Sequence, residues 1–488
     1  MRRILALAAG LAVATTPLAQ AQNSDPSDTT KLALVAGYKA LFTCSGYFSA
    51  GQSLPEIQAN ELSGIYVDYR PLMNQVSNAK IDEDNRTVLV EFDNDLPPRA
   101  AVWRPGIGCS TLPVGATANM TAWLPSFANM PSMDEPDNST ALGDNVTLTE
   151  NTFALDLLGV PVSFAFDEAT YGAGTRTSAV VVLHKGQVVA EQYARGIDRT
   201  TPQRTWSVAK SLTSTIIGAA VYDGILGLDN EAIISDFNKG GDPRRAITLR
   251  HVLNMASGLE SNNPGSRTDR LYFGGAAVAD QLDDRSLEAI PGTRFKYSNV
   301  DTLIAMRALR EAMGNDAAYR AFPHTEVLQK IGARHTVLET DWNGDYISSS
   351  QVWMTARDMA RLGQLYLQDG KWGDEQILSP DWIDFVTTPA PAQPNRDGVG
   401  YAGSFWLMND TDGVPADAFA GFGNRGQYMV VVPSRELVIV RRGFDVAGEA
   451  RFEIGNFVAN VVGAFDAAEQ ARLAAEAAEA ALEAEEAN

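Results

Sequence analysis

Between Ser207 and Val221 the chain reads as a helix with almost no polar face. Val208, Leu212, Ile216 and Ala219 recur at helical spacing, and the run stops at Asp223-Gly224. A helix that is apolar nearly all round is buried on every side, so the rest of the chain has to wrap it. With 488 residues, 45% of them hydrophobic, the material for a large core is there, and the length suggests two to four folding units. The segments needed to surround the helix lie at both ends of one long stretch. Ser178–Leu183 and Gln187–Gln192 read as a hairpin turning at Lys185-Gly186, and Gln427–Val432 and Leu437–Arg441 as a second strand pair around Pro433-Ser434. Strands at both ends with helices between them predict one sheet closed by the two termini of this unit.

Charge removes several classes of function. There are 39 Lys and Arg against 60 Asp and Glu, a net charge of −21. Nucleic-acid binding needs clustered positive charge, and so does docking on anionic lipid. The bland reading of this acidity is solubility. Residues 1–21 read as an export signal: Arg2 and Arg3, an apolar run from Ile4 to Ala14, and an Ala19-Gln20-Ala21 cleavage site. The apolar run is too short to span a bilayer, and no later stretch is long enough. A periplasmic or secreted protein is expected. Oxidation is then allowed, and Cys44 and Cys109, the only two cysteines, read as one structural disulfide, with two buried thiols as the alternative. The four histidines are scattered, neither cysteine has a ligand partner nearby, and no metal or cofactor is called for.

The signal is followed by a small α+β unit over 22–125, with a helix over Lys31–Phe42 and strands at Thr87–Phe92 and Ala100–Trp103. A Pro-, Asn- and Ser-rich linker covers 126–150, the main domain 151–465, and an Ala/Glu-rich tail 466–488 reads as a solvated helix.

Chemistry enters at the head of the buried helix. Ser207 and Lys210 stand at i and i+3, on one face. A serine in the first turn lies in the positive end of the helix dipole. A lysine in a buried, electropositive pocket loses proton affinity, and a neutral amine near a hydroxyl is a competent base. The spacing alone is weak evidence, since Ser77 and Lys80 share it in a polar stretch before a strand. A second element raises its weight. Tyr297-Ser298-Asn299 is the only Tyr-x-Asn among 14 tyrosines. A phenol held by a cation can relay a proton, and Asn299 can accept from the lysine and donate to a substrate carbonyl.

Ser207-Val-Ala-Lys210 followed by Tyr297-Ser-Asn299 resembles the paired signature of the serine β-lactamase and penicillin-binding-protein superfamily, which includes class C β-lactamases, D-Ala-D-Ala carboxypeptidases, family VIII esterases and 6-aminohexanoate-dimer hydrolases. The stretches Arg250–Leu259, Pro291–Asn299 and Thr355–Gly370 resemble it too. The resemblance covers about 151–465. It implies an α/β (α+β) fold, an antiparallel sheet flanked by helices plus an all-helical subdomain, here with the small N-terminal α+β unit added. It implies a Ser207 acyl-enzyme with Lys210 and Tyr297 as proton carriers. The third motif departs from it. Where the superfamily has Lys-Thr-Gly or His-Thr-Gly, this chain has Gly421-Phe422-Gly423. The cation and hydroxyl that hold a substrate carboxylate are missing, which brings the pattern nearer to the esterases and the aminohexanoate-dimer hydrolases. Gly423 would then border the substrate, the backbone N–H groups of Ser207 and Asn424 would form the oxyanion hole, and Arg425 is a candidate replacement charge or a surface arginine.

An ester or linear amide is the expected small-molecule substrate. A D,D-carboxypeptidase or β-lactamase-type enzyme, and a catalytically silent binding protein on the same fold, remain alternatives. Oligomeric state is not readable. Ser207→Ala is expected to lower p-nitrophenyl ester hydrolysis by on the order of 10⁴-fold or more with the fold retained, whereas Ser77→Ala leaves the rate unchanged; assays on the two purified variants check the assignment.

Overall fold

The computed structural model describes residues 28–125, 142, 152–261, 268–282, 285–395 and 398–486. The expected leader over 1–21 lies outside the described residues, as does nearly all of the expected linker. Among the described residues no helix is long and apolar enough to cross a membrane.

The N-terminal unit carries helices α1 (Asp28–Cys44) and α2 (Leu54–Asn60). They are followed by a four-stranded antiparallel sheet of β1 (Lys80–Asp82), β2 (Thr87–Val90), β3 (Arg99–Arg104) and β4 (Gly108–Thr111), in that order. α1 lies on this sheet with Val35, Ala36 and Tyr38 buried. It reaches further than expected from sequence, because its C-terminal residues also pack on the rest of the chain: Tyr38 and Phe42 belong to the same core as Trp206 and Leu212. The Cys44–Cys109 disulfide forms, joining the last residue of α1 to β4 across 65 residues of chain, with a Cα separation of 6.2 Å.

Next come α3 (Thr152–Phe164), the hairpin β5 (Thr177–His184) and β6 (Gln187–Tyr193), β7 (Gln203–Arg204) and α4 (Ala209–Tyr222), which is the apolar helix. Lys185 and Gly186 both take positive φ at the hairpin turn, the geometry that matches the twist of the two strands. A helical region holds α5 (Leu249–Leu253), α6 (Asp269–Tyr272), α7 (Asn299–Met313) and α8 (Asp316–Phe322). β8 (Val337–Leu338) and β9 (Val352–Met354) join β7 in a small sheet, and α9 (Ala356–Leu367), a β10 (Lys371–Trp372) and β11 (Glu375–Gln376) hairpin and α10 (Pro380–Thr387) follow. The chain ends with β12 (Gly400–Ala402), β13 (Phe405–Leu407), β14 (Phe419–Gly423), β15 (Gln427–Val432), β16 (Leu437–Gly443) and the long α11 (Ile454–Glu486).

The main sheet is antiparallel, in the order β12-β13-β14-β15-β16-β5-β6. Its last strand in sequence, β16, pairs with its first, β5, from Leu437↔His184 to Arg442↔Ala179, so the two termini of the domain do close one sheet. Strand periodicity explains the near-continuous apolar runs. Val181, Leu183, Val438 and Val440 face a core shared with Leu212 and Ile216 of α4 and Leu362 of α9. Val180, Val182, Val430 and Ile439 face Phe457, Val458 and Val461 of α11. The first third of α11 is thus a core element, and the Ala/Glu-rich stretch continues the same helix outward with exposed side chains over 469–479, beyond which side chains are not described.

A Cys44→Ser, Cys109→Ser variant releases the α1–β4 link and is expected to lose roughly 2–4 kcal/mol in a chain-entropy account of the bridge, read by urea unfolding against the oxidised wild type.

Candidate active site

The site begins with an unfavourable backbone. Trp206 has φ +50°, a left-handed conformation that a bulky residue rarely adopts and that survives only where its surroundings over-determine it. The surroundings are visible. Arg204 places its guanidinium 3.9 Å from the Trp206 ring and 4.4 Å from Phe42, while donating to Ser350 Oγ and Gln351 Oε1. Thr205 N donates to Val352 O at 2.8 Å. Trp206–Val208 form a 3₁₀ turn and α4 starts at Ala209. Ser207 therefore stands just before the α-helix rather than in its first turn, half-buried at the end of a strained connection.

Lys210 is fully buried. Its Nζ lies 2.7 Å from Asn299 Oδ1, 2.8 Å from the Ser349 carbonyl and 3.3 Å from Ser207 Oγ. No carboxylate partners it in these contacts, and burial lowers its pKa to about 7. A neutral amine has two N–H groups and one lone pair. The two short contacts are to acceptors that can only receive, so they take both hydrogens. The lone pair is left for the Ser207 hydroxyl, which is the arrangement a general base requires.

Tyr297 completes the cluster. Its ring centroid is 5.0 Å from Lys210 Nζ. Burial pushes its phenol well above the ordinary value, and its hydrogen bond with Ser207 pulls the other way. It is therefore a protonated phenol poised to give and regain a proton. Asn299 opens α7, with Ser298 capping the helix by accepting from Val300 N and Asp301 N. Its Oδ1 takes the lysine as expected, but its Nδ2 donates to Thr268 Oγ1 at 2.9 Å, which leaves one amide hydrogen for any substrate carbonyl.

Gly421 and Gly423 lie on β14 against the nucleophile's turn. A Cβ on Gly423 would stand 2.4 Å from Thr205 O, and one on Gly421 3.0 Å from Ser211 Oγ. Glycine is required at 423, where strand and turn approach backbone to backbone, while Gly421 faces the side chains of Ser211 and Val208. Asn424 follows in the β14–β15 connection, half-buried, with Oδ1 accepting from Arg425 N at 2.9 Å.

Arg425 departs from both expectations. It is neither a surface residue nor a charge offered to substrate. At 4% exposure, its guanidinium donates to the carbonyls of Asn60 at 2.8 Å, Ser63 at 2.9 Å and Asp445 at 3.0 Å. Phe422, at the middle position of the altered triad, stacks on Trp406 at 5.8 Å, and Trp406 stacks on Tyr297 at 5.6 Å. All three rings are half-buried. An aromatic wall thus stands where the superfamily keeps a cation and a hydroxyl.

Sequence reasoning missed Trp406, Thr268 and Ser349. The first is one aromatic residue on a short strand. The other two sit in polar stretches without a motif, although Ser348, Ser349 and Ser350 are all buried. The second Ser-x-x-Lys dissolves on inspection. Lys80 is exposed and paired with Glu91 at 2.7 Å, and Ser77 Oγ accepts from Glu91 N.

Comparison with known proteins agrees with this geometry. A family model described as Beta-lactamase matches residues 165–441. The 6-aminohexanoate-dimer hydrolase of Paenarthrobacter ureafaciens is 24% identical over 292 residues, 55% of this chain and 72% of that protein. Among solved structures, a candidate 6-aminohexanoate-dimer hydrolase from Bacillus anthracis superposes with a TM-score of 0.53 at 23% identity, covering 64% of this chain and 82% of its own. A penicillin-binding-protein homologue from Caulobacter crescentus gives 0.51 at 15% identity over 66% and 99%.

Because only the neutral amine can accept the Ser207 proton, kcat/KM is expected to rise with pH through about 7, the lowered value of Lys210, and to level above it. Lys210→Ala and Tyr297→Phe are each expected to be crippling. The double variant should lose far less than the product of the two, because the residues act as one unit. A pH–rate profile and a double-mutant cycle on ester hydrolysis check both.

Proposed function

The chain belongs to the beta-lactamase family, and from that premise we propose that it is a serine hydrolase that acylates Ser207 with a neutral ester or linear amide and releases the acyl group to water. Ser207 Oγ attacks the carbonyl carbon as its proton passes to Lys210 Nζ. Charge on the carbonyl oxygen is met by the N–H groups of Ser207 and Asn424. The carbonyl re-forms as the bond to the leaving group breaks, and the proton reaches the leaving oxygen or nitrogen through Tyr297. Water then repeats the sequence in reverse roles. The observation that carries this reading is the Lys210 geometry: two short contacts to pure acceptors and the third to Ser207.

The substrate preference rests on the Phe422, Trp406 and Tyr297 stack. Charge-assisted bonds to a substrate carboxylate contribute roughly 1.5–3 kcal/mol each, and an aromatic wall supplies none. Arg425, committed to backbone carbonyls, does not replace them. A neutral acyl group instead gains apolar contact area against the rings. The similarity to the Paenarthrobacter ureafaciens enzyme supports including linear amides. We also place the enzyme outside the cytoplasm, on the N-terminal export pattern and on a disulfide that persists only in oxidising surroundings.

A panel of short-chain p-nitrophenyl esters, linear amide oligomers and nitrocefin on the purified protein tests the assignment. Ester cleavage clearly exceeding nitrocefin turnover is expected. Efficient nitrocefin hydrolysis would move the enzyme to the β-lactamase side, and failure to label with a fluorophosphonate would make it a silent binding protein.

A further inference from the structure

The N-terminal unit lies outside the matched family segment, yet it touches the active site at two points that share one peculiarity. Each proposed oxyanion-binding N–H is next to a non-glycine residue in the left-handed region: Trp206, φ +50°, precedes Ser207, and Arg425, φ +57°, follows Asn424. Both residues are gripped from the N-terminal unit. Phe42 of α1 lies 6.1 Å from the Trp206 ring, with the Arg204 guanidinium against both, and Tyr66 meets Trp206 edge-on at 6.0 Å. The carbonyls of Asn60 and Ser63, a few residues before Tyr66, accept two of the bonds that hold the Arg425 side chain. The segment is tied down further on, where Tyr69 donates to Asp269, next to the Thr268 that holds Asn299.

We propose that the segment Asn60–Tyr69 is a built-in clamp that positions both halves of the oxyanion hole, so that the accessory unit is part of the catalytic apparatus rather than an appendage. This rests on the Ser207 acyl-enzyme reading above. A left-handed tryptophan relaxes toward an ordinary conformation unless its ring is caged. Rotation about its φ and ψ swings the Ser207 N–H away from the position where the oxyanion forms. Arg425 acts on the other half less directly: its anchored side chain fixes the β14–β15 turn in which Asn424 sits. Tyr66 and Arg425 are positioning residues in this account. They act through Trp206 and the β14–β15 turn.

The test is pre-steady-state acylation by a p-nitrophenyl ester and fluorophosphonate labelling, with thermal melting, on full-length Tyr66→Ala, Tyr66→Phe and Arg425→Ala. Loss of positioning is expected to slow acylation and labelling by about 10–100-fold in Tyr66→Ala. KM should stay within about threefold and the melting temperature near wild type, while Tyr66→Phe, which keeps the ring edge, restores the rate. Arg425→Ala should show the same pattern where it folds, and the two Tyr66 variants decide the matter where it does not. Wild-type acylation in Tyr66→Ala overturns the clamp, as does a rise in KM at constant kcat, or a rate loss that only tracks a fall in melting temperature. Ser207→Ala run alongside separates the two readings: if it stays active, the acyl-enzyme assignment itself falls.

Discussion

The structure depends on an amine held out of water with no carboxylate among its described hydrogen-bond partners. Lys210 is fully buried, its hydrogen-bond partners are two neutral acceptors and a hydroxyl, and its pKa drops to about 7. A buried lysine beside a carboxylate would keep its proton and could not serve as base. The fold therefore has to supply acceptors strong enough to orient the amine but too weak to charge it. That need explains why a backbone carbonyl, Ser349 O, and an amide, Asn299 Oδ1, flank it. It also explains why the elements carrying them, α7 and the buried serine run before β9, converge on the head of α4.

The second constraint is the approach of β14. Gly421 and Gly423 admit the strand to within contact of the Thr205 backbone and the Ser211 side chain. The turn carrying Ser207 is pinned from behind by Arg442 of β16, which donates to Gln203 O at 2.7 Å, Arg204 O at 3.1 Å and Met354 O at 2.6 Å. Arginine in these buried positions works as a multi-donor brace. Its planar fork satisfies several carbonyls at once, and the free carbonyls of an irregular turn are the groups that need partners. Arg425 and Arg442 each do this around Ser207, Arg204 reaches one carbonyl and two side-chain oxygens, and Arg442 is buried deeply enough that its pKa falls to about 9.

In the proposed mechanism the residues around the site fall into those that exchange protons and those that hold backbone. The first set, Ser207, Lys210 and Tyr297, lies within the family segment. The second draws heavily on the N-terminal unit. The aromatic contacts of Phe42 and Tyr66 with Trp206 and the Cys44–Cys109 bridge at the end of α1 belong to one continuous packing path from the surface sheet to the nucleophile.

Much of this was legible in the sequence because the signals are local. The apolar run after Ser207, the i, i+3 placement of Lys210, the Tyr-x-Asn and the alternating strands each reflect a period or spacing that a few residues carry by themselves. α4 is buried on every side as expected, but Lys210, Ser211, Thr213, Ser214 and Thr215 are buried along with its apolar residues. The structure brought Ser207, Lys210, Tyr297 and Asn299 together as the family resemblance implied. It also separated them from Ser77 and Lys80, whose identical spacing sits on an exposed edge. What the sequence could not show is long-range. Arg425 read as a surface or substrate-facing charge, and only the meeting of β14–β15 with residues 60 and 63 turned it into an internal brace. Ser349 carried no signal in the sequence, and only the meeting of the buried Ser348–Ser350 segment with Lys210 made its carbonyl an acceptor for the amine. The wall of Phe422, Trp406 and Tyr297 assembles from three separated segments, so no window of sequence contains it. The proposed proton carriers sit in two short motifs that can each be read along the chain. Positioning follows from contacts between segments hundreds of residues apart, and those are decided when the fold closes.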